Sequence, residues 1–498
     1  MTANNQASNN VVSSNPASNN LASAQMTKEQ LLSLLEQSVM PLYQLTTEQG
    51  ARAAKLVLAY SGGVDSEVLA SGLSAFAHKY PHIACLLIHV HHGLSANANT
   101  WVQHCITRAG HYQLPIQIER VTVDKGPRQS LEAQARDARY QAFDRYLNSG
   151  DILLTAHHQD DQLETLLLAL KRGQGPKGLG AMAAIQAYKQ AWLVRPLLDI
   201  SRDQIEQFSL LQRLIHIEDE SNQDDSYDRN FLRLDIIPRL KQRWPSIATT
   251  AARSAALCAE QQEVIDNEVS HRLPQWLVLA SDDNALLTES SGFTLSGFEQ
   301  LTAAWQALLF RGYLVHCGVS LPSQAQLQQI LSQLLIAKDD ANVSIQWGSY
   351  QVKRFAGVAY VLHSCELDVP EAAQLSAEFI NLLNGEIAEL TINMGQHQCQ
   401  LSQQISVDKP LLALPIANSK VTIRFGATGS IKCHPQFTSS HRVKPRELKK
   451  LWQECNIPPW RRQQIPLVFY DEILVAAIGL WVDKRYLAQA GLKGISLF

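Results

Sequence analysis

The chain has 498 residues, 46% of them hydrophobic, and a formal net charge of −3, a composition that suits two to four water-compatible domains. No stretch approaches the roughly 20 consecutive apolar residues that span a bilayer, which argues against a helical membrane protein. Eight scattered cysteines include no C-x-x-C pair, which counts against a zinc ribbon, an iron–sulfur site or a redox pair and suits a reduced, cytoplasmic protein.

The first two dozen residues are rich in Asn, Ser and Ala and lack both a basic start and an apolar segment. Residues 1–45 therefore read as a disordered or partly helical extension and not as a secretory signal. An apolar run at 56–60 then opens into Ser61-Gly62-Gly63-Val64-Asp65-Ser66, and a helical stretch follows. Adjacent glycines permit a tight turn, and the helix start adds bare N–H groups and a positive dipole end, so the turn favours an anion. Ser61 and Ser66 supply hydroxyls, and Asp65 is suited to holding a magnesium ion against phosphate oxygens. The lysine of a Walker loop is absent. A tight connection without a ligand is the plain alternative.

Apolar strands follow at 84–90, 116–123 and 151–156, and helical stretches at 97–109, 130–147 and 160–171. Such alternation predicts a doubly wound α/β domain on a parallel sheet, over residues 46–245. Its ligand should sit beyond the strand C-termini, where the Ser61 turn, His91-His92-Gly93-Leu94 and His157-His158 converge. A long helix at 247–269 leads into a mostly helical middle region, 246–410, with helices at 298–317 and 325–334 and strands within 343–361 and 387–401. A small α+β module, 411–498, ends the chain, with one helix at 445–454. From residue 420 onward there are thirteen Lys/Arg and five Asp/Glu, so this basic end faces an otherwise acidic chain and suggests a polyanionic partner.

Within that frame five strings are candidates to carry chemistry. Asp161 and Glu164 lie three apart at a helix start and share a face, fit to bind a cation, hold magnesium or accept a proton, or simply to complement the helix dipole. Glu132, Arg136, Arg139 and Tyr140 form one helical stripe able to clamp phosphate or a base, or to lie ion-paired at the surface. Gly173-Gln174-Gly175-Pro176-Lys177-Gly178 matches a dinucleotide fingerprint formally, but it follows a helix, so it reads as a basic loop. In the polar string 218–233, Arg229 and Asn230 are placed to meet a phosphate or a base edge, although a solvated, capped loop explains them too. Near the end, Arg442, Lys444, Arg446, Lys449 and Lys450 are followed by Trp452, Trp460, Arg461 and Arg462, a mixture that suits RNA or, alternatively, a salt-bridged face over core tryptophans.

Taken together, these strings resemble the tRNA-isoleucine lysidine synthetase family, bacterial tRNA-modifying ligases of the PP-loop (N-type ATP pyrophosphatase) superfamily. The matching residues are the Ser61–Ser66 loop, His91-His92-Gly93-Leu94, Glu132…Arg136…Arg139-Tyr140, His157…Asp160-Asp161…Glu164, Lys171-Arg172-Gly173, Arg195-Pro196-Leu197-Leu198, Arg229-Asn230 and Leu448-Lys449-Lys450…Trp460. The loop alone is shared with several small-molecule synthetases, and the later strings narrow it. The N-terminal extension departs from the family pattern, and residues 269–411 match only loosely.

The resemblance implies ATP as substrate with Mg2+, free L-lysine, a minor isoleucine tRNA, no membrane, and room for a homodimer. It implies ATP binding by Ser61, Gly62, Gly63, Val64, Asp65 and Ser66, with the metal on Asp65. Asp65, Arg136, Asp161 and Glu164 would be catalytic, with Asp161 and Glu164 receiving lysine. Arg229, Asn230, Arg442, Lys449 and Lys450 would contact tRNA. Among rivals, a tRNA 2-thiocytidine synthetase would carry C-x-x-C cysteines. An amidating ligase would leave the basic end unexplained, and an inactive tRNA-binding protein would not need the intact loop and carboxylates.

Overall fold

A computed structural model describes residues 25–48, 54–93, 95, 97–122, 131–278, 292–336, 343–364, 371–394, 397–405, 410–416, 418–427, 431–437 and 444–497. The chain divides into two compact units, Met1–Ile265 and Asp266–Phe498.

In the first unit the elements run α1 (Lys28–Glu48), β1 (Leu56–Ala59), α2 (Val64–Lys79), β2 (Cys85–His91), α3 (Ala98–Tyr112), β3 (Ile116–Arg120), α4 (Leu131–Asp144), β4 (Ile152–Leu154), α5 (Gln159–Lys171) and α6 (Pro176–Leu179). They continue with β5 (Ile185–Tyr188), β6 (Ala191–Val194), α7 (Arg202–Leu211), α8 (Asp228–Phe231), a π-helical turn Leu232–Ile236, α9 (Ile237–Arg243) and α10 (Ile247–Arg272). One six-stranded sheet has the order β3-β2-β1-β4-β6-β5, parallel except for the β5 edge. β1 and β4 read as unbroken apolar runs because each is covered on both faces. The chain reverses direction across the sheet between β1 and β4, and the crevice of such folds opens there.

Two features differ from the sequence expectation. Helix α1 is part of this unit's core and not an extension: Leu31, Leu35, Val39 and Leu42 are buried against α2. Each such burial contributes about 1.5–3 kcal/mol, so the domain starts well before residue 46. The β5–β6 hairpin is unannounced in the sequence, because its two-residue turn, Lys189-Gln190, lacks the glycine that usually signals one. Lys189 itself takes the left-handed conformation, at φ +52°.

In the second unit, β7 (Leu277–Val278), β8 (Gly292–Thr294), β9 (Ser344–Trp347), β10 (Tyr350–Phe355) and β11 (Val358–His363) form a five-stranded antiparallel sheet. It accompanies α11 (Ala303–His316) and α12 (Gln324–Ile336). Next come α13 (Ala372–Asn384), β12 (Glu389–Met394), β13 (His397–Ile405), β14 (Leu412–Ala413), β15 (Val421–Arg424), β16 (Lys432–Cys433), β17 (Arg446–Glu447), α14 (Leu448–Glu454), β18 (Leu467–Tyr470), β19 (Ile473–Ala477), β20 (Trp481–Val482) and β21 (Lys493–Ser496).

The division expected at 410/411 falls inside a sheet, because the last strand, β21, pairs with β13 as well as β14. Phe379 and Leu382 of α13 share a core with Ile423, Val468 and Ile495, so this module begins near residue 372. No helix among the described residues is long and apolar enough to cross a membrane.

Candidate active site

The Ser61–Ser66 loop leaves the C-terminal end of β1 and runs into α2, whose N-cap is Gly63. Gly62 sits at φ +86°, and a Cβ there would come within 2.6 Å of Ile217 Cδ1 and 2.9 Å of Cys105 Sγ, so only glycine fits. The Ser66 hydroxyl accepts from the Gly62 N–H at 3.0 Å and donates to the Gly63 carbonyl at 2.9 Å, while Ser61 Oγ lies 3.1 Å from it. These hydroxyls brace the turn from within. The first amides of α2 have no acceptor inside the helix and form its anion-facing edge.

Beneath the loop lies a network that sequence reasoning missed. Glu67, fully buried, accepts from the Tyr60 hydroxyl, the Tyr112 hydroxyl (2.7 Å) and Arg108 Nε. Tyr60 precedes the loop and Glu67 follows it, so their bond ties the strand exit to the helix entry. Burial, with the Glu67 charge beside them, pushes both phenols far above the ordinary tyrosine range.

Asp161 and Glu164 share one face of α5, as their spacing requires, and both are buried. They converge on Arg233 of the π-helical turn. Its Nε donates to Glu164 Oε1 at 2.8 Å, and its Nη2 donates to Glu164 Oε2 and to Asp161 Oδ1, each at 3.1 Å. The second Asp161 oxygen accepts from the His158 N–H at 2.9 Å and closes the N-terminus of α5.

His158, only 3% exposed, places Nε2 3.5 Å from Asp161 and 3.7 Å from Asp65, and so links the carboxylate pair to the loop. Asp65 is gripped by Arg202, whose Nη1 donates to both carboxylate oxygens at 2.7 and 2.8 Å. Asp160, next in the string, instead caps α7 through the Arg202 N–H at 2.8 Å and pairs with Lys241.

The two carboxyls are driven apart in acidity. Burial alone would raise Asp161, but His158, His157, the bonded His158 amide and Arg233 outweigh it and hold the group below the ordinary range. Burial raises Glu164 above its ordinary value, with Asp161 adding to the rise and Arg233 opposing it. His157, whose Nδ1 is 2.9 Å from Thr155 Oγ1, is pushed down to about 4 by burial and by Arg195, Arg136 and Arg229, against the pull of Asp161. It is neutral at pH 7.

Arg136 is exposed on α4, stacked 5.1 Å over the Tyr140 ring, and close enough to act on His157. Arg229 also faces His157 and Glu164, with Nη2 3.5 Å from Thr165 Oγ1. Asn230 donates through its amide nitrogen to the Ser221 and Asp224 carbonyls, both at 2.8 Å, and so ties the acidic loop. His92, from the turn after β2, accepts from Arg139 Nε at 3.4 Å and is pushed down to about 4, chiefly by burial.

In the second unit Lys449 and Lys450 are exposed on α14, and Arg442 lies outside the described residues. The interleaved tryptophans do not form a stacking platform. Trp452 is buried against Trp481, while Trp460 packs on Phe355 and Tyr360 of the five-stranded sheet.

Arg233 and Arg202 complete the site, and sequence reasoning missed both. Arg233 stands four residues after Arg229 on the same helical stretch, a spacing that could have found it, whereas Arg202 is brought to the loop only by the packing of α7.

Comparison with known proteins places these features in context. Residues 31–240 match the family model described as PP-loop domain, 293–360 the TilS substrate binding domain, and 421–497 the TilS substrate C-terminal domain. A protein of Shewanella oneidensis named tRNA(Ile)-lysidine synthase is 52% identical over 89% of this chain and 94% of its own length. Proteins of the same name from Serratia proteamaculans and Escherichia coli O157:H7 are 40% and 39% identical over 89% of this chain, covering 94% and 95% of their own lengths.

Proposed function

The chain belongs to the tRNA(Ile)-lysidine synthase family, and on that premise we propose how its residues divide the work. The protein is an AMP-forming ligase. The C2 oxygen of the wobble cytidine in the minor isoleucine tRNA, anticodon CAU, attacks the α-phosphate of ATP, and pyrophosphate leaves. The ε-amine of lysine then attacks C2, AMP departs with that oxygen, and lysidine remains. The observation that carries this reading is a carboxylate pair, Asp161 and Glu164, already holding a guanidinium, joined by His158 to a loop built for phosphate.

Ser61, Gly62, Gly63, Val64, Asp65 and Ser66 receive the pyrophosphate through amides, hydroxyls and the dipole end of α2. The Asp65 carboxylate offers one hard oxygen site, which suits a magnesium ion held mainly by phosphate oxygens and water. Such an ion, when bound, offsets charge on the departing pyrophosphate. Asp161, held ionised, anchors the lysine ammonium, while Glu164, with its raised pKa, takes the proton that must leave before nitrogen can attack. Arg136 offsets charge on the α-phosphate, and Arg229 meets the tRNA backbone while Asn230 shapes the loop beside it.

The first unit, including α1, is the catalytic domain. The residues after α10 form a middle substrate-binding domain, and the basic module with Lys449 and Lys450 holds tRNA. The decisive assay is incorporation of radiolabelled lysine into transcribed minor isoleucine tRNA, with ATP, magnesium and an elongator methionine tRNA as control. Label on the isoleucine tRNA alone, with AMP released, is expected. No label, but ATP–pyrophosphate exchange with another substrate, overturns the lysidine reading and leaves the adenylating scaffold.

A further inference from the structure

Arg202 has an unusual set of partners for a residue that carries no recognised motif. It is the first residue of α7, a ten-residue helix, and its backbone N–H is capped by Asp160. Nε donates to Glu206, one turn on, at 2.7 Å. Nη1 reaches across to the phosphate loop and spans both oxygens of Asp65. The side chain is about one-third exposed, so the fork stands at the open edge of the crevice and not within the core.

We infer that Arg202 is a pyrophosphate ligand that is held on Asp65 until a divalent cation takes that carboxylate. This rests on the reading of Asp65 as the cation's protein ligand. A cation bound to those oxygens at about 2 Å would stand beside a guanidinium bonded to the same atoms, and two positive groups repel at such range. The guanidinium must therefore yield. Glu206 keeps Nε anchored, so the fork swings without leaving the loop, and the nearest acceptors become oxygens of the phosphates that the same cation carries. Arginine suits this role because its planar fork engages phosphate through two donors at once. The arrangement balances the charge of Asp65 in the nucleotide-free protein and makes cation and pyrophosphate enter together.

The test uses the full chain and two probes, Mn2+ alone and magnesium pyrophosphate, followed by titration calorimetry and by the electron paramagnetic resonance of free Mn2+. In Arg202→Gln, Mn2+ alone should bind several-fold more tightly and magnesium pyrophosphate at least ten-fold more weakly, with lysine KM unchanged. Arg202→Lys, which keeps the charge and loses the fork, should recover Mn2+ binding to the wild-type level and only part of the pyrophosphate affinity. Unchanged pyrophosphate affinity in Arg202→Gln, with Asp65→Asn abolishing Mn2+ binding, overturns this inference alone. Unchanged Mn2+ binding in Asp65→Asn instead overturns the metal assignment of Asp65. A Gln variant that melts far below wild type is replaced by Glu206→Gln, which frees the guanidinium stem and should weaken pyrophosphate binding by a smaller factor. No loss there also overturns the inference.

Discussion

Two carboxyls three residues apart on α5 behave as different acids because their surroundings differ. Asp161 is ringed by His157, His158 and Arg233, whereas Glu164 is more deeply buried, and only arginines oppose that burial. If Glu164 must ionise to accept the proton from lysine, the acidic limb of kcat/KM for lysine lies above the ordinary glutamate range. Arg233→Met removes an influence that lowers Glu164, so the limb should move to higher pH; Glu164→Gln should abolish it and cost at least ten-fold in rate. A pH profile at limiting lysine checks both.

The same residues bear on stability with opposite signs. The depressed Asp161 contributes stability above its unfolded pKa, and that contribution is lost as pH falls through the folded value. The raised Glu164 favours folding at low pH and disfavours it as pH rises through its unfolded and then its folded pKa. Losing Arg233, which is part exposed, should cost about 1–3 kcal/mol, measured by urea melts near neutral pH.

At the scale of elements, the phosphate loop depends on what packs beneath it. Strand β1 and helix α2 follow from apolar pattern and dipole logic, but the turn between them is set by Gly62 against Ile217 and by Glu67 against Tyr60. Gly62→Ala should lower stability by about 1–3 kcal/mol, because it strains a positive φ and drives a methyl into Ile217 and Cys105. Gly63→Ala differs. Its Cβ would meet Ser61 Oγ at 3.5 Å and the Ile217 carbonyl at 3.9 Å, ordinary van der Waals separations, so it should fold normally and lose only affinity for ATP. Thermal melts alongside ATP titrations separate the two effects.

For the whole molecule, charge is divided as the sequence implies, with the positive excess confined to residues 420–498, at the end of the second unit. The exposed Lys449 and Lys450 project from α14, while Arg461 and Trp452 are committed to the interior. Replacing both lysines by alanine should weaken tRNA binding at low salt and reduce the slope of log K against log salt by about one for each phosphate no longer neutralised. The rate at saturating tRNA should hold. Filter binding across a salt series distinguishes this from unfolding. Cutting the chain after residue 410 would not, because it strips β21 from β13 and breaks the sheet.

Much of this protein is legible from its residues alone. Apolar runs of strand length, alternating with helical stretches, fix a parallel α/β sheet, since each buried strand must be covered on both faces. The glycines of the loop, the i, i+3 carboxylates and the basic end announce themselves by local geometry or composition. What the chain order conceals is every partner brought from a distance. Arg233 reaches Asp161 across 72 positions, hinted at only by its helical spacing from Arg229, and Arg202 reaches Asp65 across 137 with nothing local to mark the meeting. The β5–β6 hairpin, the core role of α1 and the return of β21 to β13 are hidden for the same reason. They are stabilised by surfaces that exist only after the sheet has formed, and no local preference encodes such a surface.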